Sequence, residues 1–122
     1  MRMYSAGSVS IMGRLARITG GYFNAVNAKD LEGVISLFSP SGRVVNHAGV
    51  FEGLEGIRSW YSKALDNGFE MIPTCYHETS TSCAVEFEVV GPDSTRKFLD
   101  VIEFDNEGRI TRLEYFSGSA LS

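Results

Sequence analysis

The sequence predicts a single α+β domain in which helices pack on one face of a curved antiparallel sheet. In the first half of the chain, apolar residues recur at three- and four-residue spacing, which is typical of amphipathic helices. From about residue 69 onward, short runs of alternating apolar and polar residues are separated by turn sequences, which is typical of strands. Helices thus come early and a strand meander late. That order favours helices packed on an antiparallel sheet over an alternating βαβ fold.

Two helices are predicted at the start of the chain. Asp30 is a good N-cap for the second helix, whose buried face includes Phe38. Ser39 to Gly42 are turn-forming residues, which we expect to end that helix. The buried stripe of the first helix consists of Ile11, Leu15, Ile18, Tyr22 and Val26.

One strand and a third helix follow. Arg43 to Ala48 form a short predicted strand, and Gly49 to Gly53 a predicted loop. Leu54 to Leu65 carry apolar residues at helical spacing, and the Asn-Gly pair that follows is a typical helix stop. The predicted element order up to this point is α-α-β-α.

The remainder of the chain is predicted to be β-structure. Pro73 cannot donate a backbone hydrogen bond, so we expect it at a sheet edge or a bulge. Cys83 to Val90 alternate strictly, with apolar residues on one face and Glu86 and Glu88 on the other. The four strands are predicted at residues 69–77, 83–90, 95–104 and 109–116.

Composition limits the classes of function. The chain has 122 residues, and residues 1–122 are expected to form one domain. The net charge of -4 disfavours nucleic acid and anionic lipid as partners. No apolar run approaches the ~20 residues of a membrane span, and no signal peptide is evident, so a cytoplasmic location is expected.

Neither a cofactor nor a metal is predicted. Glycine is frequent but forms no phosphate-binding motif. Cys75 and Cys83 are too few for a disulfide framework or a structural zinc site. In a β-hairpin the two could face each other, but reduced and packed thiols are the favoured state in a cytoplasmic protein.

Asp100 is the most informative residue for chemistry. By period two it shares a face with Phe98, Ile102 and Phe104, where a carboxylate loses hydration and its pKa rises. A neutral carboxylic acid can donate a hydrogen bond to a developing oxyanion. The alternative is a buried aspartate whose partners are backbone groups or Arg96, and the sequence leaves both readings open.

Four further residues are candidates for the same site. Tyr22 lies on the helix stripe that faces the sheet, and its hydroxyl is either a second donor or part of the core. Tyr61 has the same two readings. Asn46 and His47 should point to opposite faces of the first strand. His47 is a general base by its chemistry, or merely an exposed histidine, whereas Asn46 can orient a ligand but takes up no proton.

Three segments give a family resemblance across roughly residues 17–116. The chain resembles the nuclear transport factor 2-like superfamily, in its branch of ketosteroid isomerase and SnoaL-like polyketide cyclases. This resemblance implies a cone-like (cystatin-like) α+β roll, a small hydrophobic or polyketide- or steroid-like ligand, and a homodimer formed through the outer sheet face. The segments that carry it are residues 22–31, 53–61 and 99–110.

The resemblance also implies roles for individual residues. Tyr22 matches the oxyanion-hole tyrosine of ketosteroid isomerase, Asp100 its protonated aspartic acid, and Tyr61 a supporting tyrosine. Asn46 stands where the isomerase has its catalytic base, and Phe38 replaces a further tyrosine. The expected function is therefore an enzyme that stabilises an enolate or similar oxyanion but uses another base, such as His47.

Two alternatives remain open at this stage. Limonene epoxide hydrolase also resembles this chain and uses an asparagine on the first strand to hold water, but its Asp-Arg-Asp constellation has no clear match. A non-catalytic domain for ligand binding or assembly is the other alternative.

Overall fold

Three helices lie on one face of a six-stranded sheet in the computed structural model, which describes residues 13–117. The helices are α1 (Arg14–Asn27), α2 (Leu31–Ile35) and α3 (Gly53–Ala64). The strands are β1 (Phe38–Asn46), β2 (Gly49–Glu52), β3 (Glu70–Glu78), β4 (Ser82–Val90), β5 (Thr95–Phe104) and β6 (Ile110–Ser117). None of the helices in this range combines the length and apolar character needed to cross a membrane.

The sheet has the order β2-β1-β6-β5-β4-β3. Neighbouring strands are antiparallel except for β1 and β6, which run parallel. The prediction of a wholly antiparallel sheet was therefore wrong for this pair. Most of the chain separates β1 from β6, so no tight turn forces them to run in opposite directions. The prediction of an α+β fold with helices on one sheet face is confirmed.

The chain just before the first strand differs from the prediction. Phe38 was expected on the second helix and Ser39 to Gly42 in a turn, but all of them belong to β1. The backbone N–H of Ile110 donates to the carbonyl of Leu37 at 2.9 Å, which ties this segment to β6. A register shift between Phe38 and Arg43 accommodates Pro40 within the strand. Pairing with β6 thus overrides the local turn signal.

The predicted loop at Gly49 to Gly53 was also wrong. Gly49 to Glu52 form β2, which pairs with β1 in a hairpin. The tight turn of that hairpin contains His47 and Ala48, and Gly49 has a φ of 134° that favours glycine. The first predicted strand therefore ends at Asn46, and His47 lies in the turn.

Other local predictions are confirmed. The Asp30 side chain caps α2 by accepting a hydrogen bond from the Gly33 N–H at 3.0 Å. Pro73 lies on the edge strand β3, where the pairing with β4 shifts register between Pro73 and Cys75. The alternation of β4 buries Cys83, Val85 and Phe87 against the helices.

The two cysteines do not face each other. Cys83 lies opposite Glu78 and Cys75 lies opposite Glu86, which places the thiols on opposite faces of the sheet. Both are free thiols, and Cys83 is packed in the core as expected. Cys75 is exposed, so the expectation of a packed thiol was wrong for this residue. The expected homodimer through the outer sheet face stays a prediction.

Asn27 fixes the end of α1 to the edge of the sheet. Its amide nitrogen donates to the Met71 carbonyl at 2.7 Å, and its amide oxygen accepts from the Met71 N–H at 2.8 Å. Because these bonds pair the backbone of an edge strand, they position α1 over the sheet.

Replacing Asn27 with alanine is expected to lower the free energy of unfolding by about 1–3 kcal/mol, since two partly buried backbone groups lose their partners. Urea unfolding measures this change. Asn24→Ala, at an exposed position of the same helix, is the control and should change stability by less than about 0.5 kcal/mol. Equal losses in the two variants would contradict a bridging role for Asn27.

Candidate functional site

A cavity of about 370 Å³ lies between the helices and the inner face of the sheet. Its buried end is lined by Tyr22, Tyr61 and Asp100. Exposed residues, among them Lys29 and Arg96, line its other end and mark the opening. The volume lies within the range typical of small-molecule sites.

Asp100 lies on β5 with 2% of its surface exposed. Loss of hydration on burial raises the pKa of its carboxyl group well above the ordinary value of 3.8. Within residues 13–117 its side chain makes no hydrogen bond, so neither backbone groups nor Arg96 act as its partners. Its environment therefore favours a neutral carboxylic acid, which is free to donate a hydrogen bond into the cavity.

Two tyrosine side chains contact each other at the same buried end of the cavity as Asp100. Tyr22 on α1 and Tyr61 on α3 are buried, and their hydroxyl oxygens are 2.6 Å apart. Burial is the main cause that raises the pKa of each phenol, and the nearby Asp100 raises both further. Both residues are therefore neutral over the physiological pH range. One hydroxyl donates to the other in this contact, so the proton of the second hydroxyl remains available for a ligand oxygen.

Tyr115 is a cavity residue that the sequence analysis missed. It lies on β6 directly opposite Asp100 and faces the cavity. Its hydroxyl is 3.0 Å from Nδ1 of His47. Burial raises the pKa of Tyr115, and Asp100 raises it further. Period two from the apolar Leu113 would have placed Tyr115 on the inner face, so the signal was present.

Asn46 and His47 do not line this cavity. Both line an adjacent recess, which shares Arg96, Phe98 and Tyr115 with the cavity. The prediction that they point to opposite faces was wrong because β1 ends at Asn46 and His47 lies in the hairpin turn.

Asn46 has a local structural role. Its amide oxygen accepts a hydrogen bond from the Ala48 N–H at 2.8 Å, which stabilises the hairpin turn. Its amide nitrogen is buried and has no hydrogen-bond partner among the described residues. The structure thus brings Tyr22, Tyr61 and Asp100 together and keeps Asn46 in the neighbouring recess.

The cavity is suited to hold a mostly apolar molecule with one oxygen at the buried end. Phe87 and Phe98 stack with ring centroids 5.7 Å apart and form an apolar wall. Of the described residues that line the cavity, Asp100 is the sole carboxylate and none is a histidine or cysteine. A single carboxylate, without histidine or cysteine, provides too few ligands for a metal centre inside the cavity.

Solved structures show the same fold. A candidate polyketide cyclase from Sinorhizobium meliloti is 23% identical, with 82% of this chain and 94% of that chain covered and a TM-score of 0.75. A protein with a cystatin-like fold from Methylobium petroleophilum is 18% identical, with coverage of 85% and 75% and a TM-score of 0.75. An epoxide hydrolase/cyclase-like enzyme of pyran ring formation in salinomycin is 21% identical, with coverage of 85% and 90% and a TM-score of 0.75.

These likenesses establish the cystatin-like fold that the sequence analysis expected. No curated protein matches the sequence. The sequence profile of the SnoaL-like domain matches residues 20–113, which is most of the chain. The chain therefore belongs to the SnoaL-like domain family.

Proposed function

We propose that this protein is an enzyme that stabilises an enolate or similar oxyanion on a small, mostly apolar ligand of the polyketide or steroid type. The observation that carries the proposal is the buried, unpartnered carboxyl of Asp100 in the same cavity as the hydroxyl group of Tyr22. Two neutral donors at the buried end of the cavity can stabilise the negative charge that develops on a ligand oxygen without having to reorganise as water would. Structural neighbours described as a candidate polyketide cyclase and an epoxide hydrolase/cyclase-like enzyme support this class of chemistry.

The proposed roles follow from the geometry of the donors. A carbonyl oxygen at the buried end accepts hydrogen bonds from Tyr22 and Asp100. Tyr61 donates its hydroxyl proton to the Tyr22 oxygen in the 2.6 Å contact, which positions Tyr22 and leaves the Tyr22 proton for the ligand. Because both donors are neutral, they give up no hydration of a charge when the ligand binds, and their interaction strengthens as the oxygen becomes negative.

The proposed base is His47, which acts through Tyr115. A proton leaves the carbon next to the carbonyl for the Tyr115 oxygen while the Tyr115 hydroxyl proton passes to Nδ1 of His47. The electron pair of the broken C–H bond forms a C=C bond to the carbonyl carbon, and the π pair of the C=O bond moves to the oxygen, where Tyr22 and Asp100 stabilise the charge. The raised pKa of Tyr115 disfavours a free tyrosinate, so the two transfers must occur together. This relay requires the tautomer of His47 whose Nδ1 accepts from Tyr115, at the observed 3.0 Å.

The epoxide hydrolase alternative has less support. Its known constellation needs two aspartates and an arginine, whereas Asp100 and Arg96 are the acidic and guanidinium groups that line the cavity in the described part of the chain. Asn46, the residue expected to hold water in this alternative, lies in the adjacent recess. A non-catalytic binding role differs from the proposal in requiring no proton transfer.

Binding of 2-naphthol and phenols of graded acidity tests the oxyanion site. Affinity should rise as the phenol becomes more acidic, because its oxygen then resembles an enolate more closely. Tyr22→Phe should weaken binding by about 1–3 kcal/mol, the typical worth of a hydrogen bond to a charged group. Fluorescence titration measures both effects.

Tyr76→Phe is the matched control because it removes a tyrosine hydroxyl that does not line the cavity. This variant should bind 2-naphthol like the unmodified protein. If the Tyr22→Phe variant also binds 2-naphthol with unchanged affinity, or if affinity does not depend on the acidity of the phenol, the cavity is not an oxyanion site. A binding or assembly role would then be the better account.

A further inference from the structure

A second cluster of reactive side chains lies on the outer face of the sheet, away from the cavity. It consists of Cys75 and His77 on β3 and Glu86 on β4. One ligand atom from each residue lies within 4.8 Å of the other two, and Nε2 of His77 is 2.7 Å from a Glu86 carboxylate oxygen. All three are exposed, with 56% of the side chain accessible in both His77 and Glu86.

The bulge next to Pro73 creates this cluster. Pro73 lies opposite Phe87 on the inner face, and the register then shifts so that Cys75 lies opposite Glu86 on the outer face. In an unbroken ladder Cys75 would share the inner face with Pro73, two residues away. The extra residue therefore turns the thiol outward to the side that carries Glu86.

The position of His77 completes the arrangement. His77 is two residues beyond Cys75, so both side chains leave the same face of β3. It lies opposite Ala84, whose small side chain leaves room for the imidazole ring to reach Glu86 on the same strand. A thiol, an imidazole and a carboxylate from two hydrogen-bonded strands thus lie close together.

We propose that Cys75, His77 and Glu86 form a surface site for a zinc ion. A thiolate, an imidazole and a carboxylate are the ligand types that zinc prefers, at about 2.0–2.3 Å each. Tetrahedral geometry then separates ligand atoms by about 3.3–3.8 Å, which the exposed side chains reach by rotation. With three protein ligands, the fourth position remains open to water or to a group from another molecule.

Local patterns do not reveal this site, because Glu86 lies nine residues beyond His77 on a different strand. Cys75 and His77 alone are an ordinary pair on a strand. Pro73 indicates an edge or a bulge, but the β3–β4 register that places Glu86 beside the pair is visible only in the fold. The proposed metal site is independent of the chemistry proposed for the cavity.

Cobalt(II) is the spectroscopic probe for this site, and zinc(II) is the competitor. Under reducing conditions, one equivalent of cobalt should produce the near-ultraviolet absorption of a thiolate–cobalt bond, and added zinc should remove it. Cys75→Ser should abolish this band. His77→Ala and Glu86→Gln should each weaken zinc binding at least about tenfold, since loss of even an outer-shell partner typically costs 10–100-fold.

Glu88→Gln is the matched control because Glu88 lies on the same strand as Glu86, two residues away on the same face. It should bind zinc like the unmodified protein. A cobalt complex without the thiolate band, or equal zinc affinity in the Glu86→Gln and Glu88→Gln variants, would overturn the proposal. Thermal unfolding without metal verifies that each variant is folded.

Discussion

The protein is expected to lose stability between mildly acidic and neutral pH, and Asp100→Asn is expected to remove a large part of that loss. Burial raises the pKa of Asp100 well above 3.8, the ordinary value that applies in the unfolded chain. Between these two values the folded protein holds a proton that the unfolded chain has released. The free energy of unfolding therefore falls as pH rises, by up to about 1.4 kcal/mol per pH unit.

The direction in which stability changes with pH distinguishes Asp100 from an ordinary carboxylate in a salt bridge. An aspartate in a salt bridge has a lowered pKa and stabilises the fold more as pH rises, whereas Asp100 stabilises it less. Asparagine has nearly the same shape and no ionisable group, so the variant should lack this contribution at every pH. Urea unfolding of both proteins from about pH 5 to about pH 8 gives the difference in slope.

Glu103→Gln is the control for this experiment because Glu103 lies on the same strand but is exposed. It should keep the slope of the unmodified protein. Parallel stability curves for the Asp100→Asn variant and the unmodified protein would show that Asp100 is ionised in the fold. The neutral donor on which the proposed function rests would then be lost.

The buried end of the site was predictable because it depends on short-range patterns. Period two along β5 predicts that Asp100 lies among apolar residues, and helical spacing predicts that Tyr22 faces the sheet. Each pattern fixes which face a residue occupies. The pattern within one strand or helix is sufficient to predict that a polar residue is buried when the residues that share its face are apolar.

The rest of the site depends on how distant segments pair, which local patterns do not encode. Asn46 is the end of a strand only because β2 follows it in a hairpin, and the turn signals at Gly49 did not reveal that strand. The contact between His47 and Tyr115 joins residues 68 positions apart. Local turn propensity at Ser39 to Gly42 was overridden by pairing with β6, because sheet hydrogen bonds and burial of Phe38 outweigh a loop preference.

Tyr115→Phe and His47→Gln are each expected to slow proton transfer by about 10²–10⁴-fold, the typical contribution of a general base. The assay is exchange of deuterium from solvent into the carbon next to the carbonyl of a cyclic ketone, followed by NMR. This reaction requires formation of an enolate but no particular product, so it tests the relay before the natural substrate is known. The variant with both changes should be no slower than the slower single variant, because the two residues act in series.

A purely structural role for Tyr115 makes different predictions. The relay gives Tyr115 no part in holding the ligand oxygen, so Tyr115→Phe should bind 2-naphthol with unchanged affinity, whereas Tyr22→Phe should not. If His47→Gln exchanges deuterium as fast as the unmodified protein while Tyr115→Phe does not, His47 is not the final acceptor and the proton leaves Tyr115 by another route. If both variants exchange at the original rate, the base lies elsewhere, and the 3.0 Å contact between Tyr115 and His47 serves only to hold the β1–β2 hairpin against β6.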